Sequence, residues 1–198
     1  MFYRIFLIIS SLLIAIGGGA LSVNYVLDTF DGFGRLKIGQ WEAYPQAGTE
    51  EADAYARARA AKRGDISLGR TEGLVFRLWR DNHNHPLKGH CTYRLKGYLP
   101  ETRLFTLYAA DHELRAQWIE DQLPTELSSA NVVWDQDGKL NVLVSPQAQA
   151  GNWLATRGRN EYGLILTLYD TPIVTSTALQ KLNMPTVEVV PAGERDCD

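Results

Sequence analysis

The chain has 198 residues, 45% of them hydrophobic and 22% charged, with eight prolines; this is the make-up of one ordinary globular domain with an appendage, and it excludes a disordered polymer. A formal net charge of −3 excludes the clustered basic excess on which nucleic-acid binding rests, so no nucleic acid is expected as a partner.

The appendage comes first. In MFYRIFLIISSLLIAIGGGALSVNY no charged residue stands between Arg4 and Asp28, and residues 5–23 as a helix reach about 28 Å, nearly the thickness of a bilayer's hydrocarbon core. Residues 1–24 therefore read as a membrane anchor, a single transmembrane helix, or as a cleaved signal peptide with Gly18 and Ala20 at a spacing that suits a signal peptidase. Gly17, Gly18 and Gly19 each weaken a helix by roughly 1 kcal/mol relative to alanine, which keeps the cleavage reading open. Both readings export the remainder. Arg4 on one side and Arg35 and Lys37 on the other leave the charge bias undecided, so the topology rests on signal-like character. The expected location is the inner membrane, single-pass through residues 5–23, with the C-terminal domain in the periplasm. No cysteine lies near the apolar run to carry a lipid.

Residues 25–48 read as an irregular lead-in, punctuated by Gly32, Gly34, Gly39, Pro45 and Gly48. TEEADAYARARAAKRG is the clearest helix: Thr49 as its cap, Glu50, Glu51 and Asp53 in the first turn, Arg57, Arg59, Lys62 and Arg63 in the last turns, and Gly64 as its stop. Its stripe of Ala52, Ala56 and Ala60 with Tyr55 suits a close approach to a sheet. From Glu72 onward the period changes to two. EGLVFRLW and CTYRLKGY alternate cleanly, TRLFTLYAA follows, and NVVWDQDGKLNVLVS carries an Asp137-Gly138 hairpin signal. YGLILTLYD is a further strand and MPTVEVV a last one, with a short C-terminal helix expected over Thr177–Leu182. The pattern implies a mainly β fold, an antiparallel β-sandwich over residues 49–190 flanked by the helix at its start, with residues 191–198 as a disordered tail.

Chemistry-bearing residues are sparse. Cys91 shares a strand face with Tyr93 and Leu95, where a buried free thiol is expected. Cys197, in the polar PAGERDCD, could pair with it only if that tail folds back, although an oxidising compartment permits the bond. Glu72 has the parity of Leu74 and Phe76, and Arg103 that of Phe105 and Leu107, so both are expected to point inward, where a charge must be paired. They are each other's natural partners, either fixing strand register or forming a site in which Arg103 anchors a carboxylate or phosphate. His83, His85 and His90 beside Asp81 make an H-x-H-x4-H pattern that could hold a metal on an extended chain. The same loop, with Asn82, Asn84 and Pro86, is equally explained as a polar connection; no metal or cofactor is expected. There is no phosphate-binding glycine loop, G-x-S-x-G, H-E-x-x-H or C-x-x-C, whereas glycosidase-type carboxylate pairs leave no short signature.

The ordered set W.AYP..G, AYARARAAKRG, LGRTEGLVF, CTYRLKGYLPETRLFTLY, DGKLNVLVS and GNWLATRG...YGLILTLYD, from Ile38 to Ile173, resembles the bacterial domain-of-unknown-function 1214 family, including its short membrane-anchored members. The resemblance implies a jelly-roll-like β-sandwich and no established biochemical function. Two departures stand out: Ala155 replaces the proline usual after GNWL, and WRDNHNHPLKGH is a histidine-rich loop foreign to the pattern.

Within GNWL, Gly151 and Asn152 can take the positive φ of a sharp turn, which would let Trp153 fold inward as a lid on the sandwich before a strand that begins near Tyr162. It is a core plug or a ligand-stacking face; Trp118 in ELRAQWIEDQ is a weaker candidate of the same kind. The expected site gathers on one rim: Arg103 paired with Glu72 beneath Trp153, with Asn152 and Tyr93 supplying hydrogen bonds at the mouth. The expected function is a non-catalytic periplasmic ligand- or protein-binding module; the alternative is an envelope hydrolase or lyase around Glu72 and Arg103.

Overall fold

A computed structural model describes residues 2–29, 34–64, 67–69, 71–116, 123–158, 160–172, 182–191 and 197. The chain divides into two compact units, the first comprising Met1–Phe33 and Ala52–Ile66 and the second the remainder. In the first unit, α1 (Phe2–Thr29) runs unbroken through Gly17, Gly18 and Gly19 and holds a stretch, Phe2–Leu27, whose most apolar 18 residues have a mean hydropathy of 2.2, long and apolar enough to cross a membrane. Helix α2 (Ala54–Arg63) is capped by Asp53, whose side chain accepts from the N–H groups of Tyr55 and Ala56, and ends at Gly64 with φ 70°. Asp53 takes the role expected of Thr49 because the hydroxyl of Thr49 is engaged in a preceding turn, donating to the Gln46 carbonyl and accepting from Glu51 N–H. Lys62 Nζ donates to Asn24 Oδ1 at 2.9 Å.

The second unit is built on two sheets. The first holds β1 (Leu36–Ile38), β2 (Trp41–Ala43), β3 (Gly73–Leu78), β5 (Leu104–Ala110), β6 (Glu126–Ser128) and β9 (Gly163–Tyr169) in the order β1-β2-β3-β9-β5-β6, antiparallel throughout. The second holds β4 (Tyr93–Gly97), β7 (Leu140–Ser145), β8 (Trp153–Ala155) and β10 (Thr186–Val189) in the order β10-β4-β7-β8, with β8 parallel to β7. Alternate residues of both sheets meet in one core: Phe76, Leu107 and Leu166 from the first, Leu95, Val142 and Val187 from the second. β9 reads as a continuous apolar run because it lies between β3 and β5 and buries both its faces, Ile165 and Thr167 as well as its core-facing leucines. Gly73 is demanded by this packing, since a Cβ there would lie 2.2 Å from the Leu168 carbonyl oxygen.

Several expectations change. The lead-in contains a hairpin, β1 and β2, turning at Gly39 with φ 59°; strands of three residues are too short to show alternation. The Asp137-Gly138 pair does make a turn, closed by Asp135 N–H to Lys139 O and Gly138 N–H to Asp135 O, but only its second arm is a strand. The helix expected over Thr177–Leu182 lies outside the described residues except for Leu182. Cys91 is not a free thiol: it is bonded to Cys197 across 106 residues. The register explains this. Val189 pairs with Tyr93 and Val190 N–H donates to Thr92 O, so β10 carries the end of the chain back along β4 toward Cys91.

Candidate functional site

The segment around Trp153 is a structural clasp. Gly151 has φ 83°, as the turn requires; Asn152 does not take the positive φ expected of it, and every polar group of its amide is engaged. Its Oδ1 accepts from Val133 N–H at 2.7 Å, and its Nδ2 donates to Val133 O at 2.6 Å and Asn141 O at 2.9 Å. Trp153 is no lid: it opens β8 in parallel register with Leu143, half-buried, and its Nε1 donates to Ser145 O at 3.0 Å. A strand pairing, which single-sequence periodicity cannot see over three residues, holds the ring along the edge of the sheet. Ala155 N–H donates to Pro124 O at 2.8 Å, a bond that proline at this position could not make.

Tyr93 is in the core and not at a mouth. It is 2% exposed, its Oη accepts from Lys88 N–H at 2.9 Å, and its ring meets Tyr162 edge-on with centroids 6.3 Å apart. Burial raises the pKa of both phenols, most strongly that of the fully enclosed Tyr162.

The expected inward Glu72–Arg103 pair is corrected. Both residues are exposed. Glu72 precedes β3 and Arg103 precedes β5, and the core ends at the layer of Leu74, Phe105 and Leu168, so their parity points past its last apolar layer. β9 lies between their strands, which sets the two backbones roughly 10 Å apart at two inter-strand spacings. Glu72 Oε2 instead accepts from Gly69 N–H at 2.8 Å, and Arg103 Nη1 reaches Asp170 Oδ2 at 3.4 Å. Asp170 follows the last residue of β9, with Tyr169 opposite both Gly73 and Leu104; the three charges form a row on one sheet end.

The histidine loop is a connection organised by Asp81. That side chain is 1% exposed, and its Oδ1 accepts from His83 N–H and His85 N–H, each at 2.9 Å. The His83 and His85 rings stack with centroids 6.3 Å apart, but among the described residues His90 shares its metal-competent group with Cys91 and Cys197, not with the other histidines. Trp118 lies outside the described residues. The sites expected from sequence therefore fall in separate places: Asn152 and Trp153 at the edge of one sheet, Tyr93 inside, Glu72 and Arg103 at one end of the other sheet.

A cleft of about 440 Å³ was not anticipated. Its walls are the β1–β2 turn, Trp41 and Leu78 on one side, Asn82 of the histidine loop, and residues 182–186 leading into β10. Trp41 Nε1 donates to Pro185 O at 2.7 Å, which joins β2 of the first sheet to the approach of β10. The one sequence signal was Trp41 itself, a large aromatic inside a stretch read as irregular.

A family model described as "Protein of unknown function (DUF1214)" matches residues 72–173, just over half of the chain. The chain belongs to this family. The DUF1214 segment runs from the start of β3 past the end of β9, so it contains the Asn152 clasp and the histidine loop, while Trp41 and Met184 of the cleft come from flanking sequence. The crystal structure of the VPA0106 protein from Vibrio parahaemolyticus is similar in fold, with a TM-score of 0.58 at 16% identity over 88% of this chain and 43% of that one. An uncharacterised protein from Burkholderia cenocepacia matches with a TM-score of 0.39 at 13% identity, over 70% of this chain and 40% of its own. This DUF1214 chain thus spans less than half the length of either solved structure. No curated protein matches it.

Proposed function

We propose that this DUF1214 member is a membrane-anchored envelope protein whose jelly-roll-like domain stands in the periplasm and acts as a non-catalytic module, binding a small neutral ligand or a short protein segment in the cleft beside Trp41. The observation that carries the reading is the chemistry of the cleft. Its described lining is apolar, with Ile38, Trp41, Leu78 and Met184, or bears uncharged amides, with Gln40, Asn82 and Asn183. Such walls recognise by shape and amide hydrogen bonding, and they present no acid or base to move a proton. α1 supports the membrane half of the reading, being apolar over the length of one crossing, a property that anchors and signal sequences share. The hydrolase or lyase alternative has less support, because Glu72 and Arg103 are divided by β9 and bonded to other groups.

The test is native mass spectrometry of the full chain extracted in mild detergent from its own membranes. A bound species is expected on the wild type and lost from Gln40→Trp, which fills the cleft from a half-buried turn. A species that persists on that variant, or none on the wild type, overturns the cleft. For the compartment, alkaline phosphatase fused after Asp198 is expected to be active and to fractionate with the membrane; activity confined to a cytoplasmic reporter overturns the periplasmic placement.

A further inference from the structure

We propose that His90, Cys91 and Cys197 are a metal site for Zn²⁺, masked by the disulfide and opened when a dithiol reduces it. One ligand atom from each of the three residues lies within 4.8 Å of the others. Around a tetrahedral zinc, ligand atoms at ordinary bond lengths stand about 3.8 Å apart for two sulfurs and about 3.5 Å for sulfur and nitrogen. The three donors therefore stand close to the spread of such a site, once reduction lets the two bonded sulfurs part.

The backbone that carries two of the three donors is held without help from the disulfide. Cys91 N–H donates to Lys88 O, Gly89 N–H to Asn160 O, and Thr156 Oγ1 to Gly89 O. Gly89 also packs so closely that a Cβ there would lie 2.9 Å from the Arg157 carbonyl oxygen. Residues 88–91 are thus pinned on both sides, and Cys91 is 1% exposed at the border of the core. Only Cys197 lies beyond β10, which pairs with β4 up to Tyr93. Reduction frees Cys197 to move and leaves the backbone bonds of residues 88–91 in place. His90 and Cys197 are each half-buried, which gives an ion a path from solvent.

The chemistry balances as follows. A dithiol reductant passes two electrons and two protons to the Cys91–Cys197 bond and itself becomes a disulfide. The two thiols then release their protons to solvent as the cation binds, because the thiolate is the ligand. Two thiolates and one imidazole suit a borderline-soft ion and leave a fourth position for water.

The test uses the full chain in detergent, with Co²⁺ as the spectroscopic stand-in for Zn²⁺ and circular dichroism to follow the fold. After reduction, the wild type is expected to take up one equivalent of Co²⁺ with sulfur-to-cobalt charge-transfer absorption, displaced by Zn²⁺. The oxidised chain is expected to show none. His90→Ala is expected to weaken binding at least tenfold, no less than the loss of a supporting group around a metal site, and Cys197→Ser to reduce the charge-transfer intensity while keeping the β-sheet spectrum. The proposal is overturned if the reduced wild type shows no charge transfer, if His90→Ala binds as tightly as wild type, or if reduction or Cys197→Ser abolishes the fold, since the donors would then have no fixed geometry.

Discussion

Asn152 grips Val133 by both backbone groups, accepting from its N–H at 2.7 Å and donating to its C=O at 2.6 Å. Val133 itself is 72% exposed, so its place rests on these polar bonds, while its neighbours Val132 and Trp134 pack against the core and the Phe105 ring. Asn152→Ala is expected to cost about 2 kcal/mol by leaving backbone groups of Val133 and Asn141 unpaired. Asn152→Asp is expected to cost at least as much, because a carboxylate oxygen would face two carbonyls. Urea unfolding of the two variants checks this; a midpoint unchanged in both would refute the clasp.

The Cys91–Cys197 bond closes a loop of 106 residues. Constraint of the unfolded chain on that scale is worth at most about 5 kcal/mol in the chain-entropy account. Cys197→Ser should therefore lose stability, by up to that much, and reductant should bring the wild type down to the variant's midpoint while leaving the variant unmoved. Equal midpoints for oxidised and reduced wild type would contradict it.

Ala155 shows why this chain can depart from the proline usual after GNWL. Its N–H is bonded to Pro124 O, and the residue is 1% exposed. Ala155→Pro should lower stability by about 1–3 kcal/mol through the lost bond and the carbonyl left alone. Thermal unfolding that matches wild type would show that Pro124 finds another donor.

The two core phenols should respond oppositely to removal of their hydroxyls. Tyr93 Oη accepts from Lys88 N–H, so Tyr93→Phe should cost about 1–2 kcal/mol. Tyr162 Oη is buried with no hydrogen-bond partner among the described residues, so Tyr162→Phe should be neutral or stabilise by up to about 1 kcal/mol. Both folded pKa values are raised by burial, whereas an unfolded tyrosine ionises near pH ~10. The unfolded state then loses its protons first, so this contribution is fully present below about pH 10 and is lost as pH rises toward the folded values. Followed by phenolate absorbance in wild type against Tyr93→Phe and Tyr162→Phe, these two phenols should stay protonated until alkaline unfolding; their ionisation in the folded chain near pH ~10 would contradict the burial.

Glu72→Gln and Arg103→Met should each change stability by less than about 1 kcal/mol, the range of exposed ion pairs, because Arg103 and Asp170 are 77% and 67% exposed at their side chains. A loss near 3 kcal/mol in chemical denaturation, the cost of breaking a buried pair, would restore the inward arrangement that strand parity suggested.

What the sequence by itself determined is whatever a local period or a single residue type dictates. The apolar length of α1, the Gly64 stop of α2, and the longer strands β3, β4, β5 and β9 follow from alternation or from an unbroken apolar run, since burying one sheet face or two leaves a mark in the order of residues. The family, too, was legible, because six short motifs stand in order along the chain, and one of them holds Gly151 at the positive φ of a turn and Asn152 and Trp153 at side-chain bonds to the backbone. Tertiary structure alone decided the rest. Three-residue strands such as β1 and β8 carry too few residues to show a period and exist because a neighbour supplies their hydrogen bonds. The disulfide depended on the register of β10 against β4, and the Trp41 cleft on segments more than a hundred residues apart, joined by the Trp41–Pro185 bond across 144 positions. Parity assigned Glu72 and Arg103 to the core, and the ends of β3 and β5 assigned them to solvent, because a strand's face is buried only as far as another layer covers it.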